Sequence, residues 1–194
     1  MEVTTGKHIV ALCGSQRNGS YTRLALERTL ATAEAHGATT DLVDVGALEL
    51  PVFDPDHTDA GDAETLRKRV RAADGVVLGT PMYHGSYSSP LKTALDYCGF
   101  DEFEETTVGL LVVSGGGFPT PALEHLRSVV RALDAWVLPH QVAIPNSHSA
   151  FEDGRVIDEG LIERIETLGR DIVEYAGVES YPETATACAV PTAD

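Results

Sequence analysis

The stretch "GSQRNGSYTR", Gly14 to Arg23, follows the apolar run "HIVALC" and carries an unusual set of donors. Ser15, Ser20 and Thr22 offer hydroxyls, Arg17 a guanidinium, and Tyr21 an aromatic ring beside them. Backbone N–H groups at the start of a helix carry partial positive charge, so small residues there bind phosphate. A guanidinium adds charge-assisted contacts. Gly14 and Gly19 have the spacing of a Walker phosphate loop, but Ser20 and Tyr21 stand where that loop has Lys and Ser/Thr. Without that lysine nothing bridges a β- and a γ-phosphate. A single phosphate monoester suits the set better than a triphosphate. The plainer alternative is a turn in which Ser20 caps a helix.

Two more loops carry candidates. In "TPMYHGSYSSPLKTALD" (80–96), Pro81 stiffens the chain, Met82 follows it, Tyr83 and His84 offer planar faces, Gly85 admits a ligand close to the backbone, and Ser86 adds a hydroxyl. A flat heterocycle with polar edges suits that set; an ordinary surface histidine is the alternative for His84. In "SGGGFPT" (114–120), Ser114 precedes three glycines, Gly115, Gly116 and Gly117. Consecutive glycines are entropically costly to order. Their N–H groups would face the carbonyl oxygens of a flat ligand; a permissive turn is the other reading.

These loops need a scaffold, and the pattern supplies one. Strands are expected at 7–13 and 75–80, both buried, at 107–114 and 135–144, and a more exposed one at 39–45. Helices are expected at 20–36 (ended by Gly37), 63–73, 90–98 with Pro90 in its first turn, 121–134 and 158–176. "EDGRVID" reads as a turn. Five strands alternating with five helices imply one α/β domain over 1–176: a doubly wound parallel sheet covered on both faces. Ligands on such sheets bind at the carboxyl ends of strands, near the switch in strand order, which singles out the loops after strands one, three and four. The tail, 177–194, has no periodicity and reads as disordered and acidic.

Composition narrows the partners. Of 194 residues, 30 are acidic and 14 basic, for a net charge of −16. Like charges repel, so nucleic acid and anionic membrane surfaces are disfavoured. Only Lys7, Lys68 and Lys92 are lysines, and the acidic, lysine-poor balance resembles that of proteins from high-salt cells. No basic region followed by an apolar stretch opens the chain, and no apolar run nears the roughly 20 residues that span a bilayer. A cytoplasmic protein is expected. Cys13, Cys98 and Cys188 are far apart and odd in number, which reads as reduced thiols rather than a disulfide or metal site.

Together the three loops resemble the NADPH-dependent FMN reductases, over residues 8 to about 176. The first resembles the motif G-S-x-R-x-x-S-x-N/T in Gly14, Ser15, Arg17, Ser20 and Thr22. The second resembles P-E-Y-N-G-S-x-x-x-x-L-K-N-A-x-D in Pro81, Tyr83, Gly85, Ser86, Leu91, Lys92, Ala94 and Asp96. It departs at Met82, His84 and Thr93. The third resembles the S-x-G-G loop. The resemblance implies a flavodoxin-like sheet in the order 2-1-3-4-5, with FMN as cofactor and NADPH (or NADH) as donor. It implies that the first loop holds the FMN phosphate, while Pro81 to Ser86 and Ser114 to Gly117 border the ring. It implies hydride passing through FMN to a flavin, quinone, azo or similar small-molecule acceptor, in a homodimer or homotetramer. No residue is assigned a catalytic role and none a metal. A flavodoxin-like electron carrier without NAD(P)H turnover is the alternative.

Overall fold

The computed structural model describes residues 6–177. Five strands form one parallel sheet: β1 (His8–Cys13), β2 (Thr39–Asp44), β3 (Gly75–Pro81), β4 (Thr107–Val113) and β5 (Trp136–Ile144), in the order β2-β1-β3-β4-β5. The three central strands are almost wholly buried, as their unbroken apolar runs require, and β2 is half-exposed at an edge. Side chains alternate across the sheet. Val10, Leu12, Val76 and Leu78 face a core formed with α2 (Ala63–Arg71), α3 (Ser89–Asp96) and α5 (Thr120–Ala132). Ile9, Ala11, Cys13 and Val77 face a second core formed with α1 (Tyr21–Ala35) and α7 (Glu159–Tyr175). The doubly wound fold and strand order read from the sequence are those observed.

Close packing explains several glycines. A Cβ on Gly79 would lie 2.5 Å from Leu26 Cδ1, so α1 sits tight on the centre of β3. One on Gly169 would lie 2.4 Å from the backbone oxygen Thr29 O, so α7 and α1 touch backbone to backbone there. Elements beyond the expected ten are short: a 3-10 turn (Val45–Ala47), α4 (Phe100–Phe103), α6 (Ser147–Ala150), and a hairpin of β6 (Phe151–Glu152) and β7 (Arg155–Val156) where a turn was read. The expected acidic tail after Gly177, with Cys188, lies outside the described residues. Among the described residues no helix is long and apolar enough to cross a membrane.

Candidate functional site

The loop after β1 is shaped by what it packs on. Gly14 N–H continues the sheet by donating to Gly79 O at 2.8 Å. Its carbonyl accepts from buried Ser88 Oγ at 2.7 Å, at the head of α3. Ser88 N–H in turn donates to Thr80 Oγ1 at 2.9 Å. A Cβ on Gly14 would meet Leu91 Cβ at 2.7 Å and Ser88 Oγ at 2.8 Å. Gly14 is therefore needed for close contact between the first and second loops. Gly19 has φ +67°, which turns the chain into α1. Ser20 is the N-cap, its Oγ accepting from Arg23 N–H at 3.2 Å. The capping and ligand readings of Ser20 coexist, because an accepting hydroxyl still has its O–H to donate.

A cleft of about 170 Å³ opens between these loops, lined by Ser15, Arg17, Ser20, Tyr21, Thr22, Pro81, Met82, Tyr83, Val113, Gly115, Ser147 and His148. Its helix end is rich in hydrogen-bond donors. Tyr21 and Thr22 N–H lie in the first turn of α1, where no intrahelical carbonyl reaches. Ser15, Ser20 and Thr22 are buried. Arg23, Arg28, Arg67, Arg69 and Arg71 are paired with carboxylates in this acidic chain, whereas Arg17 pairs with none of the described residues. No carboxylate lines the cleft. Beneath it, burial pushes the Cys13 thiol up, so it stays neutral and adds no charge opposing an anion. Such a donor set fits one phosphate monoester. Apolar and planar groups follow at the other end: Pro81, Met82, Tyr83 and Val113.

Nine of the fifteen residues singled out in the sequence line this cleft. The others support it. Tyr83 and Ser86 close a two-residue hairpin, with N–H to O distances of 2.9 and 3.0 Å in the two directions. His84 and Gly85 are its central residues, at φ 50° and 82°, as a type I′ turn requires. His84 is thus a turn residue held in the left-handed region. Ser86 Oγ lies 3.0 Å from His125 Nδ1, which fastens the hairpin to α5. In the glycine loop, Gly116 N–H donates to Ser114 Oγ at 3.1 Å, so three free N–H groups are not available. Gly115 N–H has no acceptor among the described residues, and it is Gly115 that lines the cleft. Gly116 and Gly117 carry the loop past it.

Sequence reading missed Ser147 and His148. They follow β5, whose loop was not among the three considered, although it also leaves a strand's carboxyl end. Its backbone braces the glycine loop: Asn146 N–H donates to Gly116 O at 3.0 Å and Ser147 N–H to Ser114 O at 2.9 Å. Tyr21 stacks on Phe151, centroids 4.4 Å apart, and meets His148 edge-on at 6.2 Å. Among the described residues no cluster of His, Cys, Asp and Glu is placed to hold a metal.

A doubly wound sheet with an anion cradle at its first loop, continuous with a planar slot over the next two, defines a flavodoxin-like mononucleotide-binding protein. Residues 8–149 match the family of NADPH-dependent FMN reductases. The FMN-dependent NADPH-azoreductase of Staphylococcus haemolyticus is 35% identical over 150 residues, spanning 74% of this chain and 80% of that protein. Its counterpart in Staphylococcus saprophyticus is 34% identical over 157 residues, spanning 77% and 80%. Among solved structures, the flavoenzyme NAD(P)H:(acceptor) oxidoreductase FerB from Paracoccus denitrificans superposes with a TM-score of 0.73 at 21% identity, covering 87% of this chain and 96% of that one. The NAD(P)H:quinone oxidoreductase of Methanothermobacter marburgensis gives 0.64 at 16%, covering 86% and 98%. This chain belongs to the NADPH-dependent FMN reductase family and is an oxidoreductase working with FMN and NAD(P)H.

Proposed function

We propose that the cleft between α1 and the β3 and β4 loops holds FMN, and that the protein passes reducing equivalents from NAD(P)H to small acceptors of the azo, quinone or flavin class. The observation that carries this is the donor-rich, carboxylate-free end of the cleft, joined to an apolar, planar end within one cavity. Arg17, Ser15, Ser20, Thr22 and the first N–H groups of α1 anchor the phosphate. Pro81, Met82, Tyr83 and Gly115 border the ring, with His84, Gly85, Ser86, Ser114, Gly116 and Gly117 setting their backbone. When bound, FMN supplies a ring that accepts hydride at one face and returns it to an acceptor. The protein's part would be to orient that ring, with Gly115 N–H as a donor available to its carbonyl edge. The enclosed volume is below the usual range for small-ligand sites, about 300–1,000 Å³. Much of the ring then stays open to donor and acceptor in turn.

The azo acceptor follows the name of the staphylococcal relatives, and the quinone acceptor that of the structural neighbour. A homodimer is proposed because Tyr83 and Phe118, 57% and 83% exposed, stand on the loops that border the cleft, where a second copy would cover them. A cytoplasmic site of action is supported by the free thiols of Cys13 and Cys98. The test is titration of apo-protein with FMN, followed by loss of flavin fluorescence, then steady-state turnover with an azo dye, a quinone and free flavin. Saturable one-to-one binding with turnover of at least one acceptor class is expected. Absence of FMN binding would overturn the reading.

A further inference from the structure

The loop 15–19 has a second cavity on its other side. It measures about 290 Å³ and shares Ser15 and Arg17 with the FMN cleft; its remaining wall includes Gln16, Asn18, Arg23 and Asp44. The wall is firmly placed. Gly46, just after β2, packs so closely on Gln16 that its Cβ would lie 3.0 Å from Gln16 Cγ. Asp44 Oδ1 accepts Gly46 N–H at 3.0 Å, and Asp44 Oδ2 pairs with Arg23. Both side chains of that pair are about one-third exposed.

Asp44 is the last residue of β2, beside β1. On doubly wound sheets that bind dinucleotides, a carboxylate at this place takes the ribose 2′-hydroxyl, and a nearby arginine accommodates a 2′-phosphate. Here both groups are present and already bonded to each other. With Arg17, the cavity carries two cations against one anion, in a chain of net charge −16. Three strand spacings, about 14 Å, separate the β4 and β2 ends, a span suited to a dinucleotide laid across the loops.

We propose that this cavity receives the adenosine end of the nicotinamide donor, and that the Arg23–Asp44 pair sets the choice between a 2′-hydroxyl and a 2′-phosphate. The proposal rests on the reading that NAD(P)H reduces a flavin in the adjoining cleft. Asp44 accepts from a 2′-hydroxyl. It also engages Arg23, so a 2′-phosphate meets only part of that guanidinium's charge. Removing the carboxylate frees Arg23 for phosphate; removing Arg23 leaves a bare carboxylate that repels it. The two substitutions therefore act in opposite directions.

The experiment compares Asp44→Asn, which keeps an acceptor for Gly46 N–H, with Arg23→Gln. One readout is the NADPH-to-NADH ratio of kcat/KM. The other is calorimetric binding of adenosine 2′,5′-bisphosphate and 5′-AMP to the FMN-loaded protein. Asp44→Asn should raise both ratios by about fivefold or more, and Arg23→Gln should lower them by a similar factor, for a partly exposed charge pair. FMN affinity should not move, because neither side chain lines the FMN cleft. Ratios within about twofold of wild type in both variants would overturn the proposal even if flavin reduction is normal. If neither nicotinamide reduces the wild-type flavin, the reductase reading fails, and the calorimetric ratios alone still decide the cavity: opposite shifts support it and unchanged ratios overturn it.

Discussion

Replacing Gly14 by alanine tests how the two halves of the site are joined. The added methyl would sit 2.7 Å from Leu91 Cβ, 2.8 Å from Ser88 Oγ and 3.3 Å from Gly79 O. Leu91 belongs to α3, Ser88 caps it and is held by hydrogen bonds to Gly14 O and Thr80 Oγ1, and Gly79 O belongs to the sheet, so none is the free end of a flexible chain. Overpacking of this kind costs about 1–3 kcal/mol. Pushing Ser88 away also strains its 2.7 Å hydrogen bond to Gly14 O, at a further cost of about 1 kcal/mol. The sum, about 2–4 kcal/mol, lowers the midpoint of thermal unfolding by roughly 4–16 °C for a domain of this size. FMN affinity should fall as well, because the loop that carries Ser15 and Arg17 is displaced from α3. Gly115→Ala is the control: no atom lies within 4 Å of its Cβ, so its midpoint should stay near wild type. Thermal melts of apo-proteins, followed by circular dichroism, measure both. A Gly14→Ala protein that melts within about 2 °C of wild type would refute the packing argument.

Three other outcomes are expected. Arg17→Ala should weaken FMN binding about 10- to 100-fold in a fluorescence titration, the worth of a charge-assisted phosphate contact, with no change in melting; an unchanged dissociation constant would remove Arg17 from the cradle. His84→Asn should stabilise the protein by a few tenths of a kcal/mol up to about 1 kcal/mol in urea unfolding, since asparagine tolerates the left-handed first position of a type I′ turn better than histidine; a loss of stability would mean that the His84 side chain makes a contact of its own. Burial pushes the Cys98 thiol up to about 12. In native protein at about pH 8 it should resist thiol reagents and react on unfolding, as mapped by mass spectrometry. Modification of native Cys98 would contradict its placement.

The fold was legible because its signals are strong and local. Unbroken apolar strands, Gly37 after α1, and Pro90 at the head of α3 each have one physical reading. The donor-rich β1 loop was legible for the same reason, since hydroxyls, a guanidinium and a helix start have few other uses together. What stayed hidden depends on distant pairings. Nothing local in "PNSHSA" shows that Asn146 and Ser147 brace the glycine loop, or that His148 reaches the cleft rim beside Tyr21. The packing of Gly14 was hidden for a similar reason, because Leu91 and Ser88 are more than seventy residues away in sequence. The hydrogen bond by which the Ser114 hydroxyl accepts from Gly116 N–H was not legible either. Turn chemistry at His84 was legible in principle: His-Gly between Tyr83 and Ser86 stands where Asn-Gly would signal a type I′ hairpin.

If the cleft holds FMN as proposed, NAD(P)H reduces the bound flavin directly. The most direct test is the visible absorption spectrum of the FMN-loaded protein, recorded without air as NADPH and then NADH are added. Bound flavin should bleach fully with one equivalent of nicotinamide, and colour should return on addition of a quinone or azo acceptor. Flavin that binds but keeps its colour with both nicotinamides, and bleaches only with dithionite, would contradict it and mark the protein as an electron carrier.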